Sequence, residues 1–304
     1  MAGGIGAAKL LIGLAEVIEP VDLTVIANTG DDIVLHGLRI CPDLDTIMYT
    51  LGGAVDQKRG WGIRDDSFEC LKWLGRYGGG AEWFNLGDRD LATHIHRTER
   101  LAKGASLTEV TEEIGRALGL KSRLMPMTDS YTPTMVQTNE GRMHLQEYFV
   151  GRRCEPRVSS IDYDGVQGCS PAAGVLEGIE AANLVVICPS NPFISIGPIL
   201  AVPGIRRALT EARDKVIAVS PIVGGRAIKG PAADMMRDLG HEVSAVGVAR
   251  LYREFVSVFV LDERDGEMSP RVEEMGMRAV ATNTIMVTHA DKRRLAEAVL
   301  KTAN

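Results

Sequence analysis

Leu23-Thr24-Val25-Ile26-Ala27-Asn28-Thr29-Gly30-Asp31-Asp32 sets a short apolar run against a polar tail ending in two adjacent carboxylates. A continuous apolar run bounded by turn residues reads as a strand buried on both faces, as strands of parallel sheets are. The form recurs at Leu184 to Cys188 and at Val216 to Val219. Each of these runs ends in a polar loop, Pro189-Ser190-Asn191-Pro192 in one case and Ser220-Pro221-Ile222-Val223-Gly224-Gly225 in the other. In open α/β sheets, ligands bind beyond the carboxyl ends of the strands, so these loops are expected to wall a site.

Helical patterns alternate with the runs. Leu10 to Ile18 and Asp45 to Leu51 read as helices, the second stopped by Gly52-Gly53; Phe68 to Leu74 reads as another, stopped near Gly78-Gly79-Gly80. Asp88 is expected to cap a helix running through Leu101, and Ser106 with Glu109 forms a capping box for a helix ending at Gly119. From Arg123 to Asp162 the period changes to two. Thr134 to Thr138 and Met143 to Val150 flank the turn Asn139-Glu140-Gly141, with Val158 to Tyr163 as a further strand. Helices and strands alternate again after Ser170-Pro171, which reads as an N-cap and first-turn pair. The expected fold is α/β: a Rossmann-like three-layer parallel sheet with an inserted α+β subdomain. The 304 residues then form a single domain, with a largely helical and then hairpin insertion at about 60–165.

Composition narrows the partners. The chain carries 34 Lys and Arg against 40 Asp and Glu, a net charge of −6, with no basic run, which argues against nucleic acid. It has neither an apolar stretch long enough to span a bilayer nor a secretory signal, so a cytoplasmic protein is expected. Cys41, Cys70, Cys154, Cys169 and Cys188 are scattered, odd in number and without Cys-x-x-Cys spacing, and read as reduced thiols. His94 and His96 point to different faces of a helix and read as surface and packing residues.

Two loops carry chemistry. Asp31, Asp32, Asp43 and Asp45 crowd one short stretch, where like charges raise one another's pKa unless a divalent metal, a basic substrate group or full solvation answers them. Upstream, Gly3-Gly4-Ile5-Gly6-Ala7-Ala8-Lys9 opens into a helix. Free backbone N–H groups and the positive end of the dipole make such a turn an anion site. It fits neither the dinucleotide fingerprint, which wants a glycine where Lys9 stands, nor the Gly-Lys-Ser/Thr phosphate loop. The broken fingerprint and Asn28 at the end of the second strand, in place of an acidic residue, weigh against a nicotinamide oxidoreductase.

Taken together, Gly3-Gly4-x-Gly6-x-x-Lys9, Asn28-Thr29-Gly30-Asp31-Asp32, Pro42-Asp43-Leu44-Asp45-Thr46, Arg59-Gly60-Trp61-Gly62, the string Leu86 to His94 and Pro189-Ser190-Asn191-Pro192 resemble the 2-phospho-L-lactate transferase family of coenzyme F-420 biosynthesis. The resemblance runs from the first residues to the C-terminal helix. It implies transfer of a phospho-acid (2-phospholactyl, phosphoenolpyruvyl or phosphoglyceryl) from a guanosine diphosphate ester to the ribityl hydroxyl of the deazaflavin Fo. GMP is released, Mg²⁺ is required, and a homodimer is implied.

The resemblance also implies roles by position. Asp31 with Asp43 or Asp45 would bind the metal, and Asp45 would lie nearest the Fo hydroxyl, as metal ligand or proton acceptor. Arg89, between Asp88 and Asp90, matches a substrate-contacting arginine; Gly4, Gly6 and Lys9 would meet the phosphates, Asn28 would orient the acidic loop, and Thr46, Ser190 and Asn191 would contact substrate. Trp61 would stack on a ligand ring or pack on the core. A related group of nucleotide-sugar-binding regulatory proteins, the gluconeogenesis-factor group, is the alternative. It continues after its aspartate pair with a Gly-Gly-Ser-rich stretch, where this chain has Ile33-Val34-Leu35-His36-Gly37. Relatives usually begin with a strand leading into the glycine turn. Here only Met1 and Ala2 precede Gly3, which suggests a start placed too late and an exposed, loosened turn.

Overall fold

The computed structural model describes residues 1–78 and 83–302. Its main sheet is parallel. Val185–Ile187, Val216–Val219, Val258–Asp262 and Arg278–Thr282 lie side by side in that order. Thr24–Ala27 pairs with Arg123–Pro126, again in parallel.

Met1 and Ala2 join the two groups. Ala2 N donates to Ile26 O (3.0 Å), and Asn28 N donates to Ala2 O (2.9 Å). On the other edge Met1 N donates to Val186 O (2.7 Å), and Cys188 N donates to Met1 O (3.1 Å). The exposed neighbouring backbone expected of a missing strand is therefore not found: two residues satisfy the groups on either side.

Side chains alternate across the sheet, as the pleat requires. Val25, Ala27, Leu124, Ile217, Val219, Val258 and Val260 face one layer, with Leu10, Leu14, Leu44, Ile47, Val110, Leu295 and Val299 of the helices Gly4–Val17, Pro42–Leu51, Leu107–Ala117 and His289–Lys301. Ile26, Met125, Ile187, Ala218, Phe259 and Leu261 face the other, with Val175, Ile179, Ile199, Ile205, Met236, Val246 and Tyr252 of the later helices. Helices cover both faces, and every position of Val216–Val219 is buried, which explains its unbroken apolar run. Burying one such side chain stabilises the fold by roughly 1.5–3 kcal/mol. Gly13 lets the first and last helices meet: a Cβ there would stand 2.1 Å from Lys292 O.

Several boundaries differ from the sequence expectation. Arg123–Pro126 pairs with Thr24–Ala27 inside the layered core, so the segment expected as one insertion at about 60–165 is two excursions around a core strand. The second excursion is an antiparallel sheet of Gly141–His144, Thr134–Thr138 and Val158–Tyr163. The strand expected to reach Val150 ends at His144 and passes into a π-helical turn, Glu147–Gly151. The bend lets His144 Nε2 meet Asp32 O (3.0 Å) and Gln146 Nε2 donate to Asp31 O (3.0 Å).

Ser170-Pro171 does not start a helix. Ala172 N donates to Met127 O and Thr128 Oγ1 to Ser170 O, which hold the segment extended, and the helix begins at Val175 after the left-handed Gly174. Asp88 is the first residue of the helix Asp88–Ala102, whose N-cap is Gly87; its carboxylate instead accepts from Glu69 N and Cys70 N, capping Glu69–Arg76. That helix ends at Arg76 with Gly78 at φ 78°; Gly79 and Gly80, part of its expected stop, lie outside the described residues. The capping box of Ser106 and Glu109 is present.

Candidate active site

The glycine turn and the acidic loop meet at the carboxyl ends of the strands. The helix Gly4–Val17 starts directly behind the turn, with Gly4 at φ 73°. A Cβ on Gly6 would stand 2.3 Å from Pro189 O, so only glycine lets the turn lie against the loop after Val185–Ile187. Asn28 orients the acids: its Nδ2 donates to Asp43 Oδ2 (2.8 Å), Asp31 Oδ1 (3.3 Å) and Ile194 O (3.1 Å), while its Oδ1 accepts from Gly30 N (2.9 Å). Asp43 N donates to Asp31 Oδ2 (3.0 Å).

The four aspartates divide into two kinds. Asp32 is held by Arg39, whose Nη2 lies 2.7 Å from Oδ2 and whose Nε lies 3.1 Å from it, with the Cys41 thiol donating at 3.0 Å. Asp45 receives the fork of Arg97, Nη1 to Oδ2 at 2.9 Å and Nη2 to Oδ1, and Arg97 is 0% exposed. No guanidinium answers Asp31 and Asp43 among the described residues. Burial, then the charges of Asp43 and Asp32, push the Asp31 carboxyl well up; burial pushes Asp43 up to about 6 against the hydrogen bonds of Asn28 and Gly4. Asp32 also rises to about 6 because burial outweighs Arg39. Two adjacent carboxylates without a cation fit one divalent ion. Among the described residues no group of three or more His, Cys, Asp or Glu side chains forms a cage, so phosphate oxygens and water would complete the coordination of an ion at Asp31 and Asp43.

A second polar cluster lies beside the first. Asp90, His94 and Arg97 fall on one face of Asp88–Ala102, at spacings that align on a helix. Tyr49 Oη donates to Asp90 Oδ1 (2.7 Å), and His94 Nε2 lies 3.4 Å from the same oxygen. His94 Nδ1 lies 3.3 Å from Arg97 Nη1. His94 is thus buried beside the site and is no surface histidine.

Both clusters open on one cavity of about 390 Å³. Gly4, Gly6, Lys9, Asp31, Asp43, Asp45, Thr46, Ser190 and Asn191 line it; Asn28 stands behind Asp31 and Asp43. Lys9 Nζ donates to Met286 O (3.1 Å), and Lys229 lines the same side; neither forms an ion pair among the described residues. Burial and the neighbouring Lys9 ammonium lower the Lys229 pKa. Trp61, Phe84 and Phe149 add aromatic walls, and Trp61 stacks under Arg59, whose guanidinium carbon lies 5.1 Å from the ring centroid. Ser190 Oγ donates to Gly3 O (2.8 Å), and Asn191 Oδ1 accepts from Phe193 N (2.9 Å), a turn role.

Two expected residues lie elsewhere. Arg89 is exposed and its Nη1 donates to Arg64 O (3.2 Å); neither it nor Asp88 lines the cavity, because Asp88 caps the neighbouring helix. Sequence reasoning missed Tyr49, Asp90, Arg97, Gln146 and Lys229. The spacing of Asp90, His94 and Arg97 was the signal for three residues of the second cluster.

The family profile described as 2-phospho-L-lactate transferase CofD matches residues 1–301. The chain belongs to this family. Within the 2-phospho-L-lactate transferase family it is 42% identical to the 2-phospho-L-lactate transferase of Methanosarcina mazei over 303 residues, covering 99% of this chain and 98% of the relative. It is 44% identical over 296 residues to a protein of Streptomyces griseus named phosphoenolpyruvate transferase, covering 96% and 93%. A UPF0052 family protein of Bacillus halodurans shares the fold at a TM-score of 0.62 and 15% identity, covering 98% of this chain and 96% of that one. As a 2-phospho-L-lactate transferase family member the chain is a transferase enzyme, and the cavity holds its polar groups at the mouth of the sheet.

Proposed function

We propose that this enzyme moves a phospho-acid group from a guanosine diphosphate ester of a three-carbon acid to the terminal ribityl hydroxyl of the deazaflavin Fo, releasing GMP, in coenzyme F-420 biosynthesis. The observation that carries the reading is one cavity that gathers the glycine turn with two carboxylates and two lysines that form no ion pair among the described residues, in a chain whose family profile spans residues 1–301. Asp31 and Asp43 would hold Mg²⁺. Bound there, it would neutralise charge on the phosphoryl oxygens.

The chain's own groups do the rest. Backbone N–H groups of the turn and the ammonium groups of Lys9 and Lys229 meet the diphosphate oxygens, a charge role that Arg89 does not fill from its exposed position. Asn28 fixes both carboxylates through one amide nitrogen, so their geometry is set before substrate arrives. Arg97 holds Asp45 by both oxygens, which leaves it a poor metal ligand and makes Asp31 with Asp43 the better pair. Trp61, Phe84 and Phe149 offer flat apolar surface to a ring.

The strand order about Met1–Ala2, with helices on both faces, supports a Rossmann-like description. Free cysteines and the lack of a membrane-length apolar helix among the described residues are compatible with a cytoplasmic enzyme. Sedimentation velocity tests the homodimer.

The experiment is a chromatographic and mass-spectrometric assay of purified protein with Fo, Mg²⁺ and each of the lactate, enolpyruvate and glycerate esters. GMP and a phospho-acyl deazaflavin are expected with one ester; no product with any ester overturns the reading.

A further inference from the structure

We infer that Asp90 accepts the proton of the attacking hydroxyl. The inference rests on the transfer reading above. An alcohol that attacks phosphorus must lose its proton, and a positioned carboxylate commonly takes it. Five aspartates line or underlie the cavity, and four are committed. Asp32 gives one oxygen to Arg39 and has the other enclosed away from the cavity, Asp45 is closed in the guanidinium fork of Arg97, and Asp31 and Asp43 form the pair that suits a divalent ion. Asp90 is different. It is 7% exposed and lines the cavity; Tyr49 Oη donates to Oδ1 at 2.7 Å, and His94 Nε2 lies 3.4 Å from that same atom. Its Oδ2 meets no donor among the described residues and is not among the fully enclosed polar atoms, so one carboxylate oxygen is fixed and the other is left without a donor in a residue that lines the cavity.

The surroundings keep Asp90 ionised. It sits in the first turn of Asp88–Ala102, where the helix dipole favours an anion. Burial works against the charge, but the adjoining His94 ring, the Tyr49 hydroxyl and Arg97 outweigh it and hold the carboxyl below its usual value. From the loop side Asp66 accepts the Asp90 amide (3.1 Å), and Asp45 faces it only across His94. A weak base suffices where the hydroxyl proton is lost late, as in a loose phosphoryl transition state. The ribityl oxygen forms the new bond to phosphorus while the bond to the GMP oxygen breaks with its electron pair. The hydroxyl proton passes to Asp90 Oδ2 and later to solvent.

The test uses the full chain with Mg²⁺, Fo and the ester that wild type accepts. Asp90→Asn keeps the Tyr49 contact and should lower kcat by about 10²–10⁴ with little change in KM or in GDP affinity. Tyr49→Phe leaves Asp90 in place but removes a donor to its charged form, so the acid limb of its kcat–pH profile should move up by about one unit at saturating Mg²⁺. Two results overturn the inference: Asp90→Asn within about tenfold of wild-type kcat, or a Tyr49→Phe limb that coincides with wild type. If wild type itself converts no ester, the transfer reading fails and the inference falls with it; if wild type turns over and Asp90→Asn keeps pace, only the inference falls.

Discussion

Replacing Arg97 with methionine removes the guanidinium that answers Asp45 among the described residues, and the cost follows from burial. Arg97 is 0% exposed and the Asp45 side chain 5%, so neither charge has water to fall back on. Breaking one partner of such a pair strands the other at a cost of about 3–5 kcal/mol. With about 2.1 cal/mol/K of unfolding entropy per residue, a chain of 304 residues has roughly 0.64 kcal/mol/K at its midpoint. Arg97→Met should then melt about 5–8 °C below wild type by calorimetry. Adding Asp45→Asn removes the stranded charge, and the double variant should recover most of the loss. A drop of less than about 2 °C in the single variant, or a double variant no more stable than the single, would refute a closed Asp45–Arg97 pair.

Other outcomes follow from the same geometry. Asp43 has its folded pKa raised to about 6, so its ionised form costs stability above that pH and the cost is relieved as pH falls through it. Mg²⁺ should therefore raise the melting temperature at pH 8 and lose the effect at pH 5, and Asp43→Asn should stabilise the ligand-free protein at pH 8 while abolishing the gain; an equal gain at both pH values contradicts the Asp31–Asp43 site. Lys229→Met should weaken GDP binding by about 3–10-fold at low salt, and by less at high salt, in titration calorimetry. Gly6→Ala puts a Cβ 2.3 Å from Pro189 O, so either the turn or the loop must move. A stability loss of about 1–3 kcal/mol with collapse of turnover is expected, and an active, unshifted variant would show that the turn does not hold phosphate.

The parts legible in the sequence are those where one local pattern has one physical outcome. Val216–Val219 is apolar throughout because both of its faces are covered, and Ser106 with Glu109 can do little else than cap a helix. The glycine turn and acidic loop were legible as a site because glycine and clustered charge are costly without a reason. What escaped depends on contacts far along the chain. Arg97 answers Asp45 across 52 positions, and Asn28 reaches Ile194 across 166. Nothing local distinguishes Asp45 from Asp43 in the sequence. Ser170-Pro171 reads as a cap until Met127 and Thr128 claim its neighbourhood, and Asp88 reads as the cap of its own helix while serving another. The strand Arg123–Pro126 looks like part of an insertion because its partner, Thr24–Ala27, lies about a hundred residues upstream.

Met1 and Ala2 have one more consequence. They are a two-residue stitch between two blocks of sheet, and the cavity straddles that seam, taking Asp31, Asp43 and Asp90 from one side and Ser190, Lys229 and Thr284 from the other. A substrate spanning the cavity would touch loops of both blocks at once. The reacting groups on the two sides would then be spaced by the stitch itself, so a change in its register would be felt at the chemistry.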